Sequence, residues 1–377
     1  MPATHKKVLF IGLTAFSRTG GVEKFNKCFL KALQDLESEA DLSSFSMSLY
    51  DDKADEKYFA NKKYNGFGGN KLSFVVSSIL KAKNFDIIFI GHINLAIVGF
   101  FIKLFFPRKK LILIAHGYEV WSPLKGFKKA LVNKADLILA VSNFTKNKLV
   151  EVQKIESGKI SLFHNTIDPF FIIPSNFKKS EDLKERYGIE KDDFVMYTLA
   201  RLSAAEGYKG YDVVIKCLPQ LAQSIPNIKY VIAGKYDVEE KNRLDKLIEE
   251  KGVSNKVIFA GFLKDSEVES HYQMGDLFIM PSMGEGFGIV FIEAMACGMP
   301  VIAGNADGSV DALKDGELGA LVNPNSENDI TEKVEDIFQK KEMITDPYKY
   351  DLQQRTLKHF GFEQYKKNLQ HFIFHNN

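Results

Sequence analysis

The fold of this chain is most constrained by short, almost continuously apolar runs that alternate with stretches of helical periodicity. Residues 21–36, for example, place apolar side chains at the spacing of one helix face. Runs that are apolar on both faces and alternate with helices predict a parallel β-sheet covered by helices on its two sides. A first series of such runs lies at 6–13, 85–92, 110–117, 135–142 and 159–165.

The alternation begins a second time after residues 167–183, a segment with two prolines and no periodicity. The second series lies at 193–200, 228–234, 255–261, 276–282, 299–304 and 319–324. A chain of 377 residues is long enough for two domains with separate cores. We therefore predict an α/β protein with two Rossmann-like, doubly wound domains, residues 1–170 and 171–349, that face each other across a cleft.

The composition excludes several classes of protein. A net charge of +2 provides no overall attraction to nucleic acid. The three cysteines are far apart and form no CxxC pair, which disfavours a disulfide framework or a zinc site and fits a reducing cytoplasm. The apolar run at 6–13 is too short for a signal peptide, and residues 93–106 are too short for a membrane span and contain Lys103.

The segment GEGFGIVFIEAMACG directly follows the strand predicted at 276–282. Ligands of parallel sheets bind beyond the carboxyl ends of the strands. Gly286 and Gly288 allow backbone amides to approach a ligand, and the helix that follows favours a phosphate at its N-terminus. Glu285 and Glu293 can accept hydrogen bonds from sugar hydroxyls on either side, which suits a sugar nucleotide. The alternative is that Glu285 caps the helix and Glu293 is solvated.

Two cations follow the strand predicted at 193–200. Arg201 and Lys209 precede a helix that starts near Tyr211, and together they can hold a diphosphate. The alternative is that both are solvated loop residues.

In the first half of the chain, Gly20 and Gly21 open a helix after the first strand, and His116 ends the strand at 110–117. The glycine pair predicts backbone amides that face a ligand, although a plain tight turn is equally consistent. His116 can hydrogen-bond a reacting sugar or an acceptor, or it can be a structural histidine. No D-x-D, HExxH or GxSxG motif occurs, so we expect neither a metal-bridged diphosphate, nor an esterase-type serine, nor any cofactor.

These motifs together resemble glycosyltransferase family 4, the retaining enzymes of the GT-B arrangement. GEGFGIVFIEAMACGMPVIA resembles the family signature of two glutamates separated by seven residues, and ARLSAAEGYKGYD resembles its Arg-and-Lys diphosphate site with a longer loop. RTGGVEKF, AVSNFTKNKL, FHNTID and DGELGALVNP are similar in place and order. FGFEQYKKNLQHFI resembles the last helix, so a C-terminal helix of about 350–377 is expected to pack on the first domain.

The resemblance implies roles for the candidate residues. Arg201 and Lys209 would neutralise the leaving diphosphate, Glu293 would hold the ribose hydroxyls, and Leu263 would contact the base. The transferred sugar and the phosphates would be held by a further set: Glu285 and the amides of Gly286, Phe287, Gly288 and Ile289.

His116 would sit near the reacting carbon, and the first domain would bind the acceptor. One segment departs from the family, since NADGSVDAL replaces the commoner Gly-Gly-x-x-Glu pattern and puts Asp311 in the acidic place.

The implied reaction is transfer of a sugar from a nucleoside-diphosphate sugar to a glycan or lipid-linked acceptor, in polysaccharide or lipopolysaccharide synthesis. Retention is expected through front-side attack, in which the leaving phosphate oxygen takes the acceptor proton. Two other classes of function stay open. One is another enzyme on the same fold, such as a sugar-nucleotide epimerase or a glycan phosphorylase, and the other is a non-catalytic sugar-nucleotide-binding subunit. Donor hydrolysis and product analysis separate them.

A membrane contact is also open. Residues 93–110 combine an apolar helix with the cations 108–110, and Lys125, Lys128 and Lys129 follow. Such a surface can dock on an anionic membrane, which predicts a cytoplasmic protein at the inner face of the plasma membrane. The alternative is a buried helix with a solvated basic end.

Overall fold

Residues 5–375 are described by a computed structural model, in which the chain folds into two compact α/β units. The first unit extends to Pro169 and also includes the residues from Phe360 onward, whereas the second consists of Phe170–His359. The predicted α/β fold with two domains is confirmed. Residues 1–4, which precede the apolar run at 6–13, and residues 376–377 of the predicted last helix lie outside the described part.

The first unit is built on a parallel sheet of seven strands. Its strands are β1 (Lys6–Gly12), β2 (Leu42–Ser48), β3 (Tyr64–Gly66), β4 (Ile87–Ile90), β5 (Lys110–Ala115), β6 (Leu137–Ala140) and β7 (Ile160–Leu162). Their spatial order is β3-β2-β1-β4-β5-β6-β7, and Lys6 pairs with Leu42 at the start of the β1–β2 ladder. The connecting helices are α1 (Gly21–Glu39), α2 (Lys71–Ala82), α3 (Ala96–Phe105), α4 (Gly126–Lys134) and α5 (Asn143–Glu151).

The second unit repeats the plan with six parallel strands. Its helices are α6 (Glu181–Tyr187), α7 (Tyr211–Ser224), α8 (Val238–Glu250), α9 (Asp265–Met274), α10 (Ile289–Ala296), α11 (Ser309–Ala312), α12 (Glu327–Gln339) and α13 (Asp346–Phe360). Its strands are β8 (Phe194–Leu199), β9 (Ile228–Ala233), β10 (Val257–Gly261), β11 (Leu277–Met280), β12 (Val301–Gly304) and β13 (Ala320–Val322). The spatial order is β10-β9-β8-β11-β12-β13.

Both sheets have one point where the strand order reverses. In the first sheet the reversal lies between β1 and β4, and in the second between β8 and β11. The crevice at such a reversal is where ligands of doubly wound sheets bind, because the flanking connections diverge to opposite faces. The loops after these four strands are therefore the places to search for a site.

The predicted C-terminal helix is two helices, because the backbone is extended at Gly361. The helix α14 (Phe362–Phe374) belongs to the first unit, where it packs against α1. The Tyr365 ring stacks on Phe163 at 4.4 Å between centroids, and the Lys366 ammonium lies 2.6 Å from a Glu39 carboxylate oxygen. The last helix thus completes the core formed by the earliest and middle parts of the chain.

Candidate functional site

Two loops of the second unit come together at the reversal of its sheet. The loop after β8 contains Arg201 and Lys209, and the loop after β11 contains Glu285. The Met283 amide donates to the Tyr208 carbonyl at 2.9 Å, which joins the two loops directly. The structure therefore brings together cations and an acid that lie about 80 positions apart in the sequence.

The loop after β11 ends at the start of α10. Gly288 has a left-handed backbone, with φ of 88°, and a side chain there would overlap the ring of Phe291. Among the described residues, no side chain caps α10, so Glu285 does not act as its cap. The first amides of α10, beginning at Ile289, keep the partial positive charge that suits a phosphate. Gly286 is half-buried, and the Phe287 side chain is buried.

Lys209 and Glu285 form an ion pair in which each side chain is only 15% exposed. Burial alone would lower the pKa of Lys209, but the attraction of Glu285 outweighs burial and raises it. The lysine is therefore charged at neutral pH. A buried pair of this kind supplies a fixed positive and a fixed negative group side by side at the reversal of the sheet.

Arg201 also has a carboxylate partner, Glu206, although its own side chain is 65% exposed. The positive charge of Arg201 opposes that of Lys209 closely enough to act on its pKa. The sequence does not predict a role for Glu206, because an acid in a polar loop has no pattern that distinguishes it from a solvated residue. Both predicted diphosphate cations are thus already neutralised by acids of the same two loops.

Glu293 is buried in α10, with 1% of its surface exposed, so the solvated alternative is wrong. The Tyr272 hydroxyl donates to its carboxylate at 3.0 Å. Burial, together with the neighbouring Glu293, raises the pKa of Tyr272, which therefore remains a donor at all moderate pH values. A buried carboxylate needs donors, and Tyr272 supplies one of them.

A third loop, after β12, is hydrogen-bonded to the loop that contains Glu285. The carboxylate of Asp307 accepts from the Glu285 amide at 2.7 Å, from the Ser282 hydroxyl at 2.8 Å and from the Ser309 amide at 2.9 Å. The residue that the family resemblance puts in the acidic place, Asp311, is also buried, in the short helix α11. The sequence does not predict a role for Asp307, because its partners Ser282 and Glu285 belong to a loop more than twenty residues away.

Leu263 lies between the end of β10 and the start of α9, and its side chain is buried, whereas the neighbouring Phe262 is 62% exposed. β10 is the edge strand two positions away from β8. Leu263 is therefore on the same side of the sheet as the cation loop, at the carboxyl ends of the strands.

The remaining candidates lie in the first unit. Gly20 and Gly21 are exposed and open α1, for which no described side chain provides a cap. The loop that leads to them is held by Asp51, which accepts from the amides of Ala15 and Ser17 at 2.7 and 2.8 Å. Burial alone would raise the pKa of Asp51, but its hydrogen bonds, the largest from Tyr64, lower it to about 2.

His116 follows β5 and bonds to the loop after β4. Its Nε2 lies 2.8 Å from the Gly91 carbonyl oxygen, which can only accept, so Nε2 bears the proton. Its ring is 6.0 Å from that of His92, and burial lowers the pKa of His92 to about 4, with Glu119 opposing. The pair is therefore held at the reversal of the first sheet, with His92 neutral.

Among residues 5–375, no three His, Cys, Asp or Glu side chains are grouped closely enough to hold a metal ion. Metal independence remains a prediction. Within the same part of the chain, no helix combines the length and apolar character that crossing a bilayer requires.

The two Rossmann-like units and the charged site at a sheet reversal define an α/β protein of the GT-B fold class. Two family models match consecutive parts of the chain. Residues 19–170 match Glycosyltransferase Family 4, and residues 179–354 match Glycosyl transferases group 1. The chain belongs to this family of glycosyltransferases, which confirms both the predicted family and the predicted enzyme class.

Two relatives with assigned activities are a mannosyltransferase and a glycolipid synthase. The chain is 30% identical, over 241 residues and 61% of each chain, to the GDP-mannose-dependent alpha-(1-6)-phosphatidylinositol monomannoside mannosyltransferase of Mycolicibacterium smegmatis. It is 32% identical, over 201 residues and 49% of each chain, to the alpha-monoglucosyldiacylglycerol synthase of Acholeplasma laidlawii. The matches thus span about half to three-fifths of these relatives.

A solved structure extends the similarity to nearly the whole chain. Anabaena HepE, crystallised in complex with UDP and glucose, superposes with a TM-score of 0.76 at 20% identity. The match covers 98% of this chain and 99% of HepE. At this identity the similarity shows the fold, and it agrees with the GT-B prediction.

Proposed function

We propose that this chain transfers a hexose from a nucleoside-diphosphate sugar to a glycan or a lipid-linked acceptor, in the synthesis of a cell-surface polysaccharide or lipopolysaccharide. The observation that best supports the proposal is the shielded Lys209–Glu285 pair beside the uncapped start of α10. The lysine and the amides suit a diphosphate, and the acid suits sugar hydroxyls. The names of the two relatives, a phosphatidylinositol monomannoside mannosyltransferase and a monoglucosyldiacylglycerol synthase, favour a lipid-linked acceptor.

In this proposal the bound donor replaces the carboxylate partners of Arg201 and Lys209 by its diphosphate. The diphosphate takes the positive charges of Arg201 and Lys209, which their acids hold in the ligand-free chain. Charge then builds on the leaving phosphate as the glycosidic bond breaks, and preorganised cations and amides stabilise it without a metal ion. Glu285, released from full neutralisation, accepts hydrogen bonds from the sugar.

We further propose retention by front-side attack, in which the leaving phosphate oxygen receives the acceptor proton. In support, Glu293 is buried and engaged with Tyr272, and Glu285 in this proposal accepts hydrogen bonds from the sugar hydroxyls, which makes either a poor nucleophile. A trapped covalent glycosyl–enzyme adduct, sought by mass spectrometry of the intact protein with a fluorinated donor, would contradict this step.

The proposal is tested first by thermal shift with GDP-mannose, UDP-glucose and ADP-glucose, because a ligand that binds only the folded state raises the melting temperature. The stabilising donor is then incubated with the protein alone, and the products are separated. Slow release of free sugar supports a transferase, a new sugar nucleotide indicates an epimerase, and an unchanged donor indicates a binding subunit. Glu285→Ala should abolish the release.

We also propose that the first unit binds an anionic bilayer through one face of α2, α3 and α4. α3 packs against both neighbours, and apolar side chains on this face are between 44% and 76% exposed. They are Leu72, Val76, Leu80, Ile97, Leu104, Phe105 and Phe127. On α2 the spacing of four residues puts three of them on a single stripe, which extends the surface predicted from residues 93–110.

The charge of this region supports an anionic partner. Residues 71–134 contain eleven lysines and arginines but only two acids, Asp86 and Glu119, whereas the whole chain has a net charge of +2. The positive charge is therefore concentrated in the segment that also exposes apolar side chains, a combination that suits anionic lipid headgroups above an acyl interior.

Flotation with vesicles that contain phosphatidylglycerol, compared with pure phosphatidylcholine, tests this contact. The wild-type chain should float only with the anionic vesicles, and Leu72→Ser combined with Leu104→Ser should reduce the bound fraction at least threefold. Met343→Ser, which removes an equally exposed apolar side chain of the second unit, should not. Equal flotation of all three proteins, or none with either vesicle, contradicts the proposal.

A further inference from the structure

Both backbone polar groups of Glu285, its amide and its carbonyl, are hydrogen-bonded to two consecutive residues of the loop after β12. Its amide donates to the Asp307 carboxylate at 2.7 Å, and its carbonyl accepts from the Gly308 amide at 2.9 Å. A side chain at position 308 would overlap the carbonyl oxygen of Gly286, so only glycine permits this close approach. The peptide units on both sides of Glu285 are thus fixed to the same partner segment.

Asp307 is also the centre of a buried polar cluster. Its side chain is 1% exposed, and the hydroxyls of Ser282 and Ser309, both fully buried, lie 3.2 Å apart beside it. Its three donors come from the loop after β11 and from the start of α11. A buried carboxylate with several satisfied donors holds its neighbours more rigidly than separate bonds would, because every donor depends on one position.

We infer that Asp307 is a positioning residue, which fixes the backbone of Glu285 so that its carboxylate points at Lys209 and at the transferred sugar. The inference rests on the proposed function, in which Glu285 contacts that sugar. Asp307 stands where the resembled family commonly has the first glycine of its Gly-Gly-x-x-Glu pattern. In NADGSVDAL an aspartate therefore replaces a glycine, and its carboxylate accepts hydrogen bonds from the neighbouring loop, which a glycine could not do.

The first unit contains an independent example of the same arrangement. Asp51 follows β2 and accepts from amides of the loop after the neighbouring strand β1, as Asp307 follows β12 and accepts from the loop after β11. In each sheet a buried carboxylate of one loop holds the adjacent loop at the reversal of strand order. A site residue needs such support, since a displacement of about 1 Å can cost about a hundredfold in rate.

The test compares the affinities of a sugar nucleotide and of its nucleoside diphosphate, measured by calorimetry with GDP-mannose and GDP or with UDP-glucose and UDP. Asp307→Ala should weaken binding of the sugar nucleotide at least tenfold and that of the diphosphate less than threefold, because only the former contacts Glu285. Glu285→Ala should produce the same pattern, and the double variant should show no further loss. Asp307→Asn keeps the size of the side chain and one acceptor oxygen, so it should weaken binding of the sugar nucleotide less. This variant can be measured even if Asp307→Ala does not fold.

Asp276→Asn is the matched control. Asp276 accepts from the Val195 amide at 2.9 Å and pairs with Lys179 in the same unit, but it precedes β11 and so lies at the opposite end of the strands. It should lower stability without changing the affinity ratio. Equal weakening of both ligands by the Asp307 variants, or a loss of stability alone, overturns the inference.

Amide hydrogen exchange separates this inference from the proposed function. In the ligand-free protein, Asp307→Ala should increase the exchange of the Glu285 amide at least tenfold while that of the strand β11 stays protected. If no sugar nucleotide binds the wild-type chain, the proposed function fails, and the exchange of Glu285 still decides the positioning role. Unchanged exchange at Glu285 overturns it.

Discussion

Lys209 and Glu285, in the loops after the neighbouring strands β8 and β11, form an ion pair in which both side chains are largely shielded from water. Removing one partner leaves a shielded charge without compensation, which is more costly than the loss of an exposed ion pair. The pair therefore stabilises the ligand-free site, and in the proposed function it also contributes to the affinity for a donor.

Lys209→Met should weaken binding of the nucleoside diphosphate by roughly tenfold to a hundredfold, about 1.4 to 3 kcal/mol, because a charge-assisted contact to phosphate is lost. Calorimetric titration measures the change. Lys216→Met is the control, since Lys216 pairs with Asp212 at 3.8 Å on the surface of α7 in the same unit. An unchanged affinity of the Lys209 variant would show that the diphosphate binds elsewhere.

Tyr272→Phe should raise the donor KM about three- to tenfold and leave kcat within a factor of two. The substitution keeps the buried ring but removes the hydroxyl that donates to Glu293, so the acid expected to hold the ribose loses one support, worth about 1 kcal/mol. Tyr230→Phe is a matched control, because it removes the buried bond between Tyr230 and Thr198 in the same unit. Steady-state kinetics distinguish the two variants, and an equal effect of both would indicate a general loss of packing.

His116→Ala should lower kcat at least a hundredfold, with the affinity for the nucleoside diphosphate unchanged. The family resemblance implies that His116 contacts the reacting sugar, whereas the proposed diphosphate site belongs to the second unit. His92→Asn, which preserves a polar group beside it, should cost less than tenfold. Single-turnover transfer and calorimetry provide the two quantities, and a parallel loss of diphosphate affinity in His116→Ala would assign the histidine to donor binding instead.

Asp51→Asn should destabilise the first unit by roughly 2 to 4 kcal/mol at pH 7, because several buried donors lose their charged acceptor. The pKa of Asp51 is lowered from 3.8 to about 2 on folding, so the carboxylate stabilises the fold above pH 4 and loses this effect as the pH falls toward 2. Urea unfolding followed by the fluorescence of Trp121, the only tryptophan, reports on this unit. The difference between variant and wild type should shrink at pH 3, and a difference independent of pH would contradict the assignment.

Asp307 should show the opposite dependence. Burial raises its pKa from 3.8 to about 6, against its hydrogen bonds, so between these values the folded chain keeps a proton that the unfolded chain has released. The wild type should therefore lose stability relative to Asp307→Asn as the pH rises from about 4 to about 6. Calorimetric melting of both proteins across this range measures the difference, and a rise instead of a fall would contradict the sign.

Sequence patterns predicted most of the fold because both sheets are buried on two faces. The strands that were missed are β2 and β3. β2 reads LSSFSMS, in which serines interrupt the apolar run, and β3 has only three residues. Both lie toward one edge of the first sheet, where burial is less complete and the composition is less constrained.

The candidate site was predictable where residue type and strand position coincide. Lys209, Glu285 and Glu293 each follow a strand within a motif. Glu206 and Asp307 were not predicted, because their importance depends on which backbone or side chain they meet in space. Local sequence does not reveal these contacts, because Glu206 is five residues from its partner Arg201 and Asp307 is more than twenty residues from Glu285.

The packing of α14 on α1 has a consequence for synthesis on the ribosome. Tyr365 covers rings of Phe25 and Phe163 that are translated long before it, and the entire second unit emerges in between. Until the last stretch leaves the exit tunnel, a nascent first unit exposes these rings. We expect the second unit to fold first, while the nascent first unit stays incompletely folded or is bound by a chaperone until α14 is available.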